Sequence, residues 1–562
     1  MTVAELRVLD GPNLYFTRPA IKLTLEVSPW LAIPDERVEL LTERAGFSSA
    51  ASPGVPRSDQ RRRYLARFAV HLTRRLADAT GTHLAIRGRP GPEPEQLVIA
   101  FVWRRQRAAE AFARELAPLL DTSLDRRRSL ARALAEAADR LDEVEPGPPP
   151  TTLRPTIPII AVTGTNGKTT TVRLIAQLAR TAGHSVAYTT TDGVYRDDEL
   201  VEAGDYSGFS GAAKALAQPG IGVAVLETAR GGILLRGIGT DHNDVAVVTN
   251  VTEDHLDQHG IRTLDQLAEV KATITRITRP QGWDVLNADD PRVLAMRRLA
   301  TGRPWLFSLD ADHPAIRTTL AEGGRAISVL DGSLVVMTSR RHVHALLPVD
   351  DVPVTLAGIS RHNLRNAMAA AAAALGAGIP EGAVVEGLRS FVLDPERNPG
   401  RANLFEVDGR VVVIDYAHNE DGMRGLLEIC QGLRAPGGRV FLTFGSAGDR
   451  TDAILHRLGY AVARGADQIA IAELHRYLRG RDPQDLIRRL QAGLADGGKR
   501  EVPVFPHELE ALEWMLTVAA PRDVVAITAL AQRPEIFQYL RSRGGAVVAP
   551  LRIRELVQRA RR

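Results

Sequence analysis

The segment Ala161-Val-Thr-Gly-Thr-Asn-Gly-Lys-Thr-Thr-Thr171 constrains the fold of this chain more than any other stretch. An apolar run, Ile157 to Val162, leads into a glycine turn, and a helix-forming segment follows directly. A glycine turn at the start of a helix presents backbone N–H groups to anionic oxygens. Lys168 can reach the β- and γ-phosphates of a nucleotide, and the Thr169 hydroxyl can hold Mg²⁺. The segment therefore predicts a strand, a phosphate-binding loop and a helix, with ATP as the ligand.

The spacing of this loop differs from the common phosphate-loop pattern. The pattern G-x-x-x-x-G-K-[ST] would require a glycine where this chain has Val162, so the match to it is partial. The shorter form Thr-Gly-Thr-Asn-Gly-Lys-Thr-Thr closely resembles the loop of the Mur ligase family, whose members couple ATP cleavage to amide bond formation. The alternative is a glycine turn with a chance lysine. The resemblance implies that the nucleotide is bound by Gly164, Thr165, Asn166, Gly167, Lys168, Thr169 and Thr170.

Length and composition limit the class of protein. The 562 residues are too many for one core, and 44% of them are hydrophobic, as in globular proteins. We see neither a run of about 18 apolar residues nor a signal peptide, so we expect no membrane contact and a cytoplasmic location. A single cysteine, Cys430, excludes an internal disulfide and fits a reducing compartment. The net charge of +4 is small and spread along the chain, which argues against nucleic-acid binding.

Changes in sequence pattern predict an α/β protein of three domains. Residues 1–145 mix short apolar runs with helical patterns, which indicates a small α+β domain. A proline-rich linker at residues 146–158 follows it. Alternating strands and helices predict a central doubly wound domain with the phosphate loop at residues 159–393. The same rhythm predicts a Rossmann-like C-terminal domain at residues 394–562.

Two residues at strand ends are candidate magnesium ligands. Glu227 follows the apolar strand Gly222–Leu226, and a carboxylate at the C-terminal end of a strand beside a phosphate loop suits Mg²⁺. His255 follows the next predicted strand at the same edge. In Mur ligases the corresponding Glu and His hold magnesium ions, so the resemblance implies a metal site of Thr169, Glu227 and His255. Either residue could instead be a helix cap or a surface residue.

Lys271 lies sixteen residues after His255, on a predicted helix. Many Mur ligases have a lysine there that reacts with CO₂ to form a carbamate, an additional anionic ligand for the second Mg²⁺. That reaction needs the free amine and therefore a lowered pKa. Because the chain has few lysines, this one stands out; the alternative is an ordinary surface lysine.

Further motifs follow in the order that the Mur ligase family has them. The resemblance implies that Asn363 and Asn366, on a predicted alanine-rich helix, bind the adenine base. It implies that Arg401 contacts the ATP phosphates and that Asp415, in Asp-Tyr-Ala-His418, meets the ribose with His418 near the nucleotide. A glycine loop, Phe444 to Arg450, would face the amine substrate.

Within this family, several segments look most like the Mur-like half of cyanophycin synthetases. They include Leu226-Glu-Thr-Ala-Arg-Gly-Gly-Ile-Leu234, and the opening Leu9-Asp-Gly-Pro-Asn-Leu-Tyr15 resembles the start of the same enzymes. Cyanophycin synthetases place an ATP-grasp domain between these parts, whereas here only the proline-rich linker joins them. The expectation is a ligase with one active site, whose N-terminal domain helps to bind a peptide, a polymer or a partner.

The sequence therefore predicts an ATP- and Mg²⁺-dependent ligase that joins an amino acid amine to a carboxylate through an acyl phosphate. Its expected partners are amino acids and carboxylate-bearing peptides or small molecules, with a separate ligase and homo-oligomers as further possibilities. Lys168, Lys271, Arg401 and His418 are the candidate catalytic residues. The alternatives are a P-loop NTPase or kinase and a nucleotide-binding scaffold.

Overall fold

Three sheets, each with its own helices, form the chain in the computed structural model, which describes residues 1–125, 127–254, 256–339 and 341–562. The fold is α/β, with an N-terminal α+β domain, a central domain that carries the phosphate loop and a Rossmann-like C-terminal domain, as the sequence predicts. Among the described residues, no helix has both the length and the apolar character needed to cross a bilayer.

The N-terminal sheet has four antiparallel strands in the order β1-β2-β4-β3. Its strands are β1 (Thr2–Leu9), β2 (Ala20–Glu26), β3 (Ile86–Pro90) and β4 (Gln96–Val102), and its helices are α1 (Ser28–Ala32), α2 (Asp35–Arg44), α3 (Asp59–Ala79), α4 (Gln106–Leu124) and α5 (Leu130–Asp142). Alternate residues of β4 point to opposite faces, as a pleated strand requires. Ile99 and Phe101 pack in the core under the helices, whereas Val98 and Ala100 join a core shared with the central domain.

Two glycines let the N-terminal domain approach the central domain closely. A Cβ on Gly11 would lie 1.8 Å from the carbonyl oxygen of Ile238, and a Cβ on Gly237 would lie 2.6 Å from that of Gly11. The Gly11 N–H donates to the Arg236 carbonyl, and the Ile238 N–H donates to the Pro12 carbonyl at 2.7 Å. Backbone contact therefore fixes one domain against the other.

The central sheet has eleven strands in the order β15-β14-β13-β12-β11-β10-β5-β9-β6-β7-β8. The strands are β5 (Ile159–Thr163), β6 (Val186–Thr189), β7 (Gly193–Arg196), β8 (Glu199–Ala203), β9 (Val223–Glu227), β10 (Asn243–Val248), β11 (Thr278–Asn287), β12 (Arg303–Phe307), β13 (Arg325–Leu330), β14 (Ser333–Ser339) and β15 (His342–Pro348). The helices are α6 (Lys168–Thr181), α7 (Phe209–Leu216), α8 (Arg230–Leu235), α9 (Leu264–Lys271), α10 (Pro291–Ala295), α11 (Pro314–Ala321), α12 (Arg361–Gly376) and α13 (Glu381–Ser390). After β5 the chain adds β6 on one side of β5, and after β9 it adds β10 on the opposite side of β5. The direction in which strands are added therefore reverses beside β5, and this reversal opens a crevice at the carboxyl ends of the strands.

The central sheet is not wholly parallel, which the strand and helix rhythm did not predict. Strands β6 to β8 and β13 to β15 pair antiparallel at its two edges. The β13–β14 hairpin turns at Asp331 and Gly332, which both have positive φ. Two successive turn residues with positive φ form a type I′ turn, whose twist matches that of the two strands of a β-hairpin. The residues of this turn therefore favour an antiparallel hairpin at the edge of the parallel strands.

The C-terminal sheet has the order β20-β19-β18-β21-β17-β16-β22, with β16 and β22 at one edge, where β16 runs antiparallel to both of its neighbours. Its strands are β16 (Asn403–Val407), β17 (Arg410–Asp415), β18 (Val440–Phe444), β19 (Gln468–Ala472), β20 (Val504–Phe505), β21 (Val524–Thr528) and β22 (Ala546–Val547). Its helices are α14 (Glu420–Leu433), α15 (Asp452–Gly465), α16 (Pro483–Asp496), α17 (Glu508–Val518), α18 (Arg533–Ser542) and α19 (Pro550–Ala560). The carboxyl end of β17 faces the crevice of the central sheet and closes it from the other side.

The buried guanidinium of Arg61 gives a test of the N-terminal fold. It is 0% exposed and donates to four carbonyl oxygens, those of Trp30, Ile33, Pro53 and Gly54. Arg61→Met keeps much of the apolar stem but leaves these acceptors unpaired, so we expect a loss of about 3 kcal/mol or more of unfolding free energy. Urea unfolding measures it. Arg74→Met, at an exposed site on the same helix, is the matched control, and an equal loss there would contradict this account.

Candidate functional site

A cleft of about 620 Å³ lies at the carboxyl ends of β5 and β9, between the central and C-terminal domains. The phosphate loop forms one wall, and residues that follow β17 form the other. Helix α6 begins at Lys168, and its N-cap Gly167 has φ 84°. The first N–H groups of a helix have no partner inside the helix, so this end can receive an anion.

Asn250, beyond the end of β10, fixes the phosphate loop. Its Oδ1 accepts the N–H groups of Thr165 at 3.1 Å and Asn166 at 2.9 Å, and its Nδ2 donates to the Asn166 carbonyl at 3.1 Å. The Thr249 hydroxyl also donates to the Asn166 carbonyl, at 2.6 Å. Because these loop N–H groups are engaged, the donors at the mouth of α6 are those from Gly167 onward. Asn250 is a polar residue at the end of a predicted strand, and this pattern could have identified it from the sequence, but sequence reasoning did not use it.

The two loop glycines have no room for a side chain. A Cβ on Gly164 would lie 1.8 Å from Thr249 Oγ1, and a Cβ on Gly167 would lie 2.3 Å from Asn366 Oδ1. The loop therefore packs directly against the end of β10 on one side and α12 on the other.

Thr169 and Glu227 form a pair suited to a divalent cation. The Thr169 hydroxyl donates to Glu227 Oε2 at 2.9 Å, and both side chains are buried. Glu227 Oε1 is buried with no hydrogen-bond partner in the described part of the chain. Burial raises the pKa of Glu227, opposed by the charge of Lys168 and the Thr169 hydroxyl. An orphaned carboxylate oxygen beside a hydroxyl and a phosphate loop fits Mg²⁺, which prefers oxygen ligands.

The predicted third ligand, His255, lies outside the described residues. Within the described ranges, no group of three or more His, Cys, Asp or Glu side chains is placed to hold a metal ion. Among the described residues, the Thr169 hydroxyl and the Glu227 carboxylate are therefore the groups whose oxygens suit Mg²⁺.

Lys271 is buried at the end of α9 and is directed at the phosphate loop. Its amine donates to the Gly164 carbonyl at 2.6 Å, and its side chain lines the cleft. Burial lowers the pKa of Lys271 well below its ordinary value, and the charge of Lys168 lowers it further. The amine is thus neutral over a wider pH range than a surface lysine, which makes it nucleophilic.

Helix α12 places Asn363 and Asn366 beside the loop. Asn366 Nδ2 donates to Asn363 Oδ1 at 3.1 Å, and both side chains line the cleft. Asn366 Oδ1 also accepts the Thr171 hydroxyl, at 3.4 Å. Asn366 therefore contacts the loop helix itself, while Asn363 lies further along the cleft wall.

Arg401 and Asp415 face the loop from the C-terminal domain. The Arg401 guanidinium stacks over the Tyr416 ring at 4.6 Å, and Asp415 Oδ2 accepts the Ala402 N–H at 2.8 Å. Burial raises the pKa of Asp415, and the charge of Arg401 opposes this. His418 Nδ1 lies 2.9 Å from the Tyr416 carbonyl. The predicted nucleotide-binding, metal-binding and catalytic residues that the structure describes all line this cleft, whereas the glycine loop Phe444 to Arg450 is not part of the lining.

The structure adds residues that sequence reasoning did not assign. Asp254 Oδ1 lies 2.5 Å from Arg450 Nη1, and its Oδ2 lies 3.5 Å from His418 Nε2. Arg230, at the start of α8, donates to Gln258 Oε1 at 2.8 Å, and burial lowers its pKa. Arg230 and Arg450 stand in segments that sequence reasoning recognised only as whole motifs. That Arg230 lines the cleft and that Arg450 pairs with Asp254 follows only from the domain arrangement.

Polar contacts hold the two sides of the cleft together. Asn166 Nδ2 donates to Asn419 Oδ1 at 3.2 Å and to Asp421 Oδ2 at 2.9 Å, both at the start of α14. Elsewhere, Asp192 accepts from Arg173 of α6 at 2.9 Å and from Arg533 of α18 at 3.2 Å. The loop and its helix are thus tied directly to the C-terminal domain.

Two family models match the chain. Residues 162–374 match the Mur ligase middle domain, and residues 400–530 match the Mur ligase glutamate ligase domain. The first contains the phosphate loop, Glu227 and Lys271, and the second contains Arg401, Asp415 and His418.

Individual relatives agree with these matches. Cyanophycin synthetase of Synechocystis sp. is 40% identical over 324 residues, which are 56% of this chain and 36% of that protein. This chain thus spans well under half of that relative's length. UDP-N-acetylmuramoyl-L-alanyl-D-glutamate–2,6-diaminopimelate ligase of Chlorobium phaeobacteroides is 26% identical over 66% of this chain and 70% of that protein. Among solved structures, E. coli FolC in complex with ADP has a TM-score of 0.50 and 19% identity, over 70% of this chain and 91% of FolC, which is a likeness of fold.

The tight packing of Gly164 gives a test of the site. Gly164→Ala places a methyl group against Thr249 Oγ1, so we expect the loop to shift and the affinity for an ATP analogue to fall about tenfold or more. Isothermal titration measures this affinity. Gly382→Ala, on α13 with open space around its Cα, is the matched control. Unchanged affinity in Gly164→Ala would contradict the packing described here.

Proposed function

Because the chain contains the middle and C-terminal domains of the Mur ligase family, we propose that it is an ATP-dependent ligase forming amide bonds. Its substrates are an amino acid, which supplies the amine, and an amino acid, peptide or other Asp-containing acceptor, which supplies the carboxylate. The observation that carries this proposal is the convergence, in one cleft, of the phosphate loop with Glu227, Lys271, Arg401 and Asp415. The similarity to the Synechocystis cyanophycin synthetase supports the class of reaction, and the ADP bound to FolC, which shares the fold, supports the choice of nucleotide.

The nucleotide site is the phosphate loop and the α12 wall. The first N–H groups of α6 and the Lys168 amine hold the β- and γ-phosphates, and Thr170 lies in the first turn behind them. Asn363 and Asn366 face the base, and Asp415 accepts from the ribose hydroxyls. Thr169, Glu227 and, by the motif, His255 would hold Mg²⁺, which when bound neutralises charge on the phosphate oxygens.

The first chemical step transfers the γ-phosphoryl group. An oxygen of the acceptor carboxylate attacks the γ-phosphorus, the bond from that phosphorus to the β–γ bridging oxygen breaks, and ADP leaves with an acyl phosphate formed. Lys168 from one wall and Arg401 from the other stabilise the charge that spreads over the equatorial oxygens. Lys168 opens α6, and Arg401 lies in the bend before β16, where its guanidinium stacks on the Tyr416 ring.

The second step forms the amide bond. The neutral amine attacks the acyl carbon, the tetrahedral intermediate breaks its bond to the phosphate oxygen, and the nitrogen loses a proton to the departing phosphate. His418, whose Nδ1 is oriented by the Tyr416 carbonyl, lies near the nucleotide on the C-terminal side, where it can steady the leaving phosphate. Closure of the C-terminal domain excludes water, which would otherwise hydrolyse the acyl phosphate.

The decisive experiment is a screen of amino acids and short Asp-containing peptides for ADP release that depends on both substrates. A ligase releases ADP over many turnovers only when acceptor and amine are present together, because the amine must consume the acyl phosphate, whereas an NTPase or kinase does not require the amine. Mass spectrometry of the product should show a single kind of increment per free carboxylate, since the sequence contains one phosphate loop. A ladder of alternating Asp and Arg increments from purified protein would exclude the single-site proposal.

Lys168→Ala should abolish substrate-dependent ADP release. Removing a cation that faces the transferring phosphoryl group costs about a hundredfold or more in rate. Lys214→Ala is the matched control, because Lys214 is exposed and pairs with Glu202 away from the cleft. Activity of Lys168→Ala within about threefold of wild type would sink the assignment of the loop.

Lys271→Ala should lose activity and regain part of it with added acetate or formate. In the native chain the neutral Lys271 amine would attack CO₂, forming an N–C bond and releasing a proton, and the carbamate would be an additional anionic ligand. A small carboxylate can take the place of that anion. Lys168→Ala should not respond to acetate and serves as the control. A fully active Lys271→Ala protein would mean that the lysine has no role in catalysis.

A further inference from the structure

A carboxylate outside the proposed catalytic roles joins the central domain to the C-terminal domain. Asp192 lies in the bend between β6 and β7. Its Oδ2 accepts from Arg173 of α6 at 2.9 Å, and its Oδ1 accepts from Arg533, the first residue of α18, at 3.2 Å. Hydrogen bonds between a carboxylate and a guanidinium group are charge-assisted and therefore strong. We call these three residues the Asp192 clamp.

Both arginines of the Asp192 clamp also bind the connecting segment, residues 391–402, which joins α13 to β16. Arg173 Nη1 donates to the Arg397 carbonyl, and Arg533 Nη1 donates to the Pro399 carbonyl at 3.1 Å. Arg173 belongs to the helix that begins at the phosphate loop, whereas Arg533 belongs to the C-terminal domain. The connecting segment is therefore held from both domains, at two neighbouring carbonyl groups.

The clamp packs directly against the residue before Arg401. That residue, Gly400, has φ 69°, which favours glycine, and its N–H donates to Asn403 Oδ1 at 2.6 Å. A Cβ on Gly400 would lie 2.8 Å from Cδ of Arg533. Because no side chain separates Arg533 from this backbone, a shift of the Arg533 side chain would displace the backbone that leads to Arg401.

The Arg401 side chain depends on this backbone for its position. Its guanidinium stacks over the Tyr416 ring at 4.6 Å, and its Nε is buried with no acceptor among the residues that the structure describes. An aromatic ring attracts a cation through its quadrupole and accepts no directional hydrogen bond, so the stack alone leaves the guanidinium free to slide. The backbone of the connecting segment therefore determines how far Arg401 reaches into the ATP cleft.

Stability alone does not account for the charges of the clamp. Arg173 is 4% exposed, and its guanidinium donates to the Tyr195 hydroxyl at 3.2 Å and stacks over the Tyr195 ring at 5.4 Å. A buried guanidinium is costly unless it is paired, and Asp192 supplies the paired charge. Apolar side chains of similar volume often replace such a pair without loss of stability. The pair therefore indicates a function that needs directed hydrogen bonds.

We propose that Asp192 is a positioning residue for phosphoryl transfer. Through Arg173 and Arg533 it holds the connecting segment so that the Arg401 guanidinium faces the transferring phosphoryl group. This inference rests on the proposed function, in which Arg401 stabilises the charge that develops during the transfer. Asp192 itself touches neither the nucleotide nor the acceptor and acts through Arg401.

Other contacts hold the two domains together when the clamp is lost. Asn166 donates to Asp421 Oδ2 at 2.9 Å, and Gln258 donates to Asp449 Oδ2 at 2.8 Å. Loss of the clamp should therefore leave the phosphate loop intact and displace Arg401. Because Arg401 acts on charge that appears in the transition state, its displacement should slow the chemical step and leave ATP binding nearly unchanged.

The test is a double-mutant cycle on the single-turnover rate of ADP formation in the presence of the acceptor. Asp192→Asn keeps the shape of the side chain, removes its charge and places an N–H₂ group against one guanidinium. We expect the rate to fall about tenfold or more, with the affinity for an ATP analogue within about twofold of wild type. In an Arg401→Ala background, Asp192→Asn should lower the rate by less than about twofold, because the clamp acts through Arg401.

Asp198→Asn is the matched control. Asp198 lies in the turn between β7 and β8, is 58% exposed and pairs with Arg180 in the last turn of α6. This variant removes a carboxylate that pairs with the same helix, and it should react as fast as wild type. Arg533→Met is a second variant of the clamp, which leaves the pair of Asp192 with Arg173 in place. It should show part of the loss of rate even if Asp192→Asn folds poorly.

Hydrogen exchange tests the clamp without the ligation reaction. In the connecting segment, the Gly400 N–H donates to Asn403 Oδ1 and the Ala402 N–H donates to Asp415 Oδ2. Asp192→Asn should speed exchange of these two amides about tenfold or more, because local opening becomes easier. The amides of α15, on another side of the C-terminal domain, should exchange as in wild type.

The outcomes separate this inference from the proposed function. If wild type ligates no acceptor while Asp192→Asn speeds exchange in the connecting segment, the ligase is refuted and the hold of the clamp on that segment stands. Exchange equal to wild type, a full additional loss of rate in the Arg401→Ala background, or an equal loss in Asp198→Asn would overturn the positioning role. A fall in ATP-analogue affinity as large as the fall in rate would overturn it too, because a general structural defect lowers both.

Discussion

The hydrogen bonds from Asn250 to the phosphate loop are the interaction on which the cleft depends. The Asn250 side chain accepts two successive loop N–H groups and donates to the carbonyl of Asn166, so this one residue beyond the end of β10 satisfies three backbone groups of the loop. Hydrogen bonds to the end of the central sheet therefore determine the shape of the loop. A phosphate cradle that the fold itself holds in position needs little reorganisation when charge develops, which is the condition for electrostatic catalysis. The shape also requires glycine at positions 164 and 167, because Thr249 and Asn366 occupy the space of a Cβ.

The same crevice concentrates buried charge. Glu227 and Lys271 are both buried, and burial moves both of their pKa values towards the neutral form. A core selected for stability alone would replace such groups by apolar side chains, since burying an ion is costly unless it is fully paired. Their presence beside an orphaned carboxylate oxygen indicates a site whose ligand completes the pairing. The cation that Thr169 and Glu227 would hold, and the nucleotide phosphates, supply that missing charge.

Some features of the fold and of the cleft could be predicted from the sequence, whereas others depend on contacts that the sequence pattern does not contain. The phosphate loop and Glu227 follow from a local rule, that ligands gather at the carboxyl ends of parallel strands, whereas the expectation for Asp415 came from the resemblance to the Mur ligase family. The pairs Asp254–Arg450 and Asn166–Asp421 join residues about two hundred positions or more apart, and their contact depends on how two domains meet. Periodicity contains no such information. The hairpins β7–β8 and β13–β15 were missed because turn geometry, rather than strand pattern, decides between parallel and antiparallel pairing.

The close contact of Gly11 with Ile238 holds the N-terminal domain in a fixed position on the central domain, which a flexible linker alone could not do. Backbone hydrogen bonds at this contact fix the N-terminal sheet against α8, and α8 begins with Arg230 at the ATP cleft. The position of the N-terminal sheet relative to the ATP cleft is therefore set by direct contact between the folded domains, and not by the proline-rich linker that joins them in sequence.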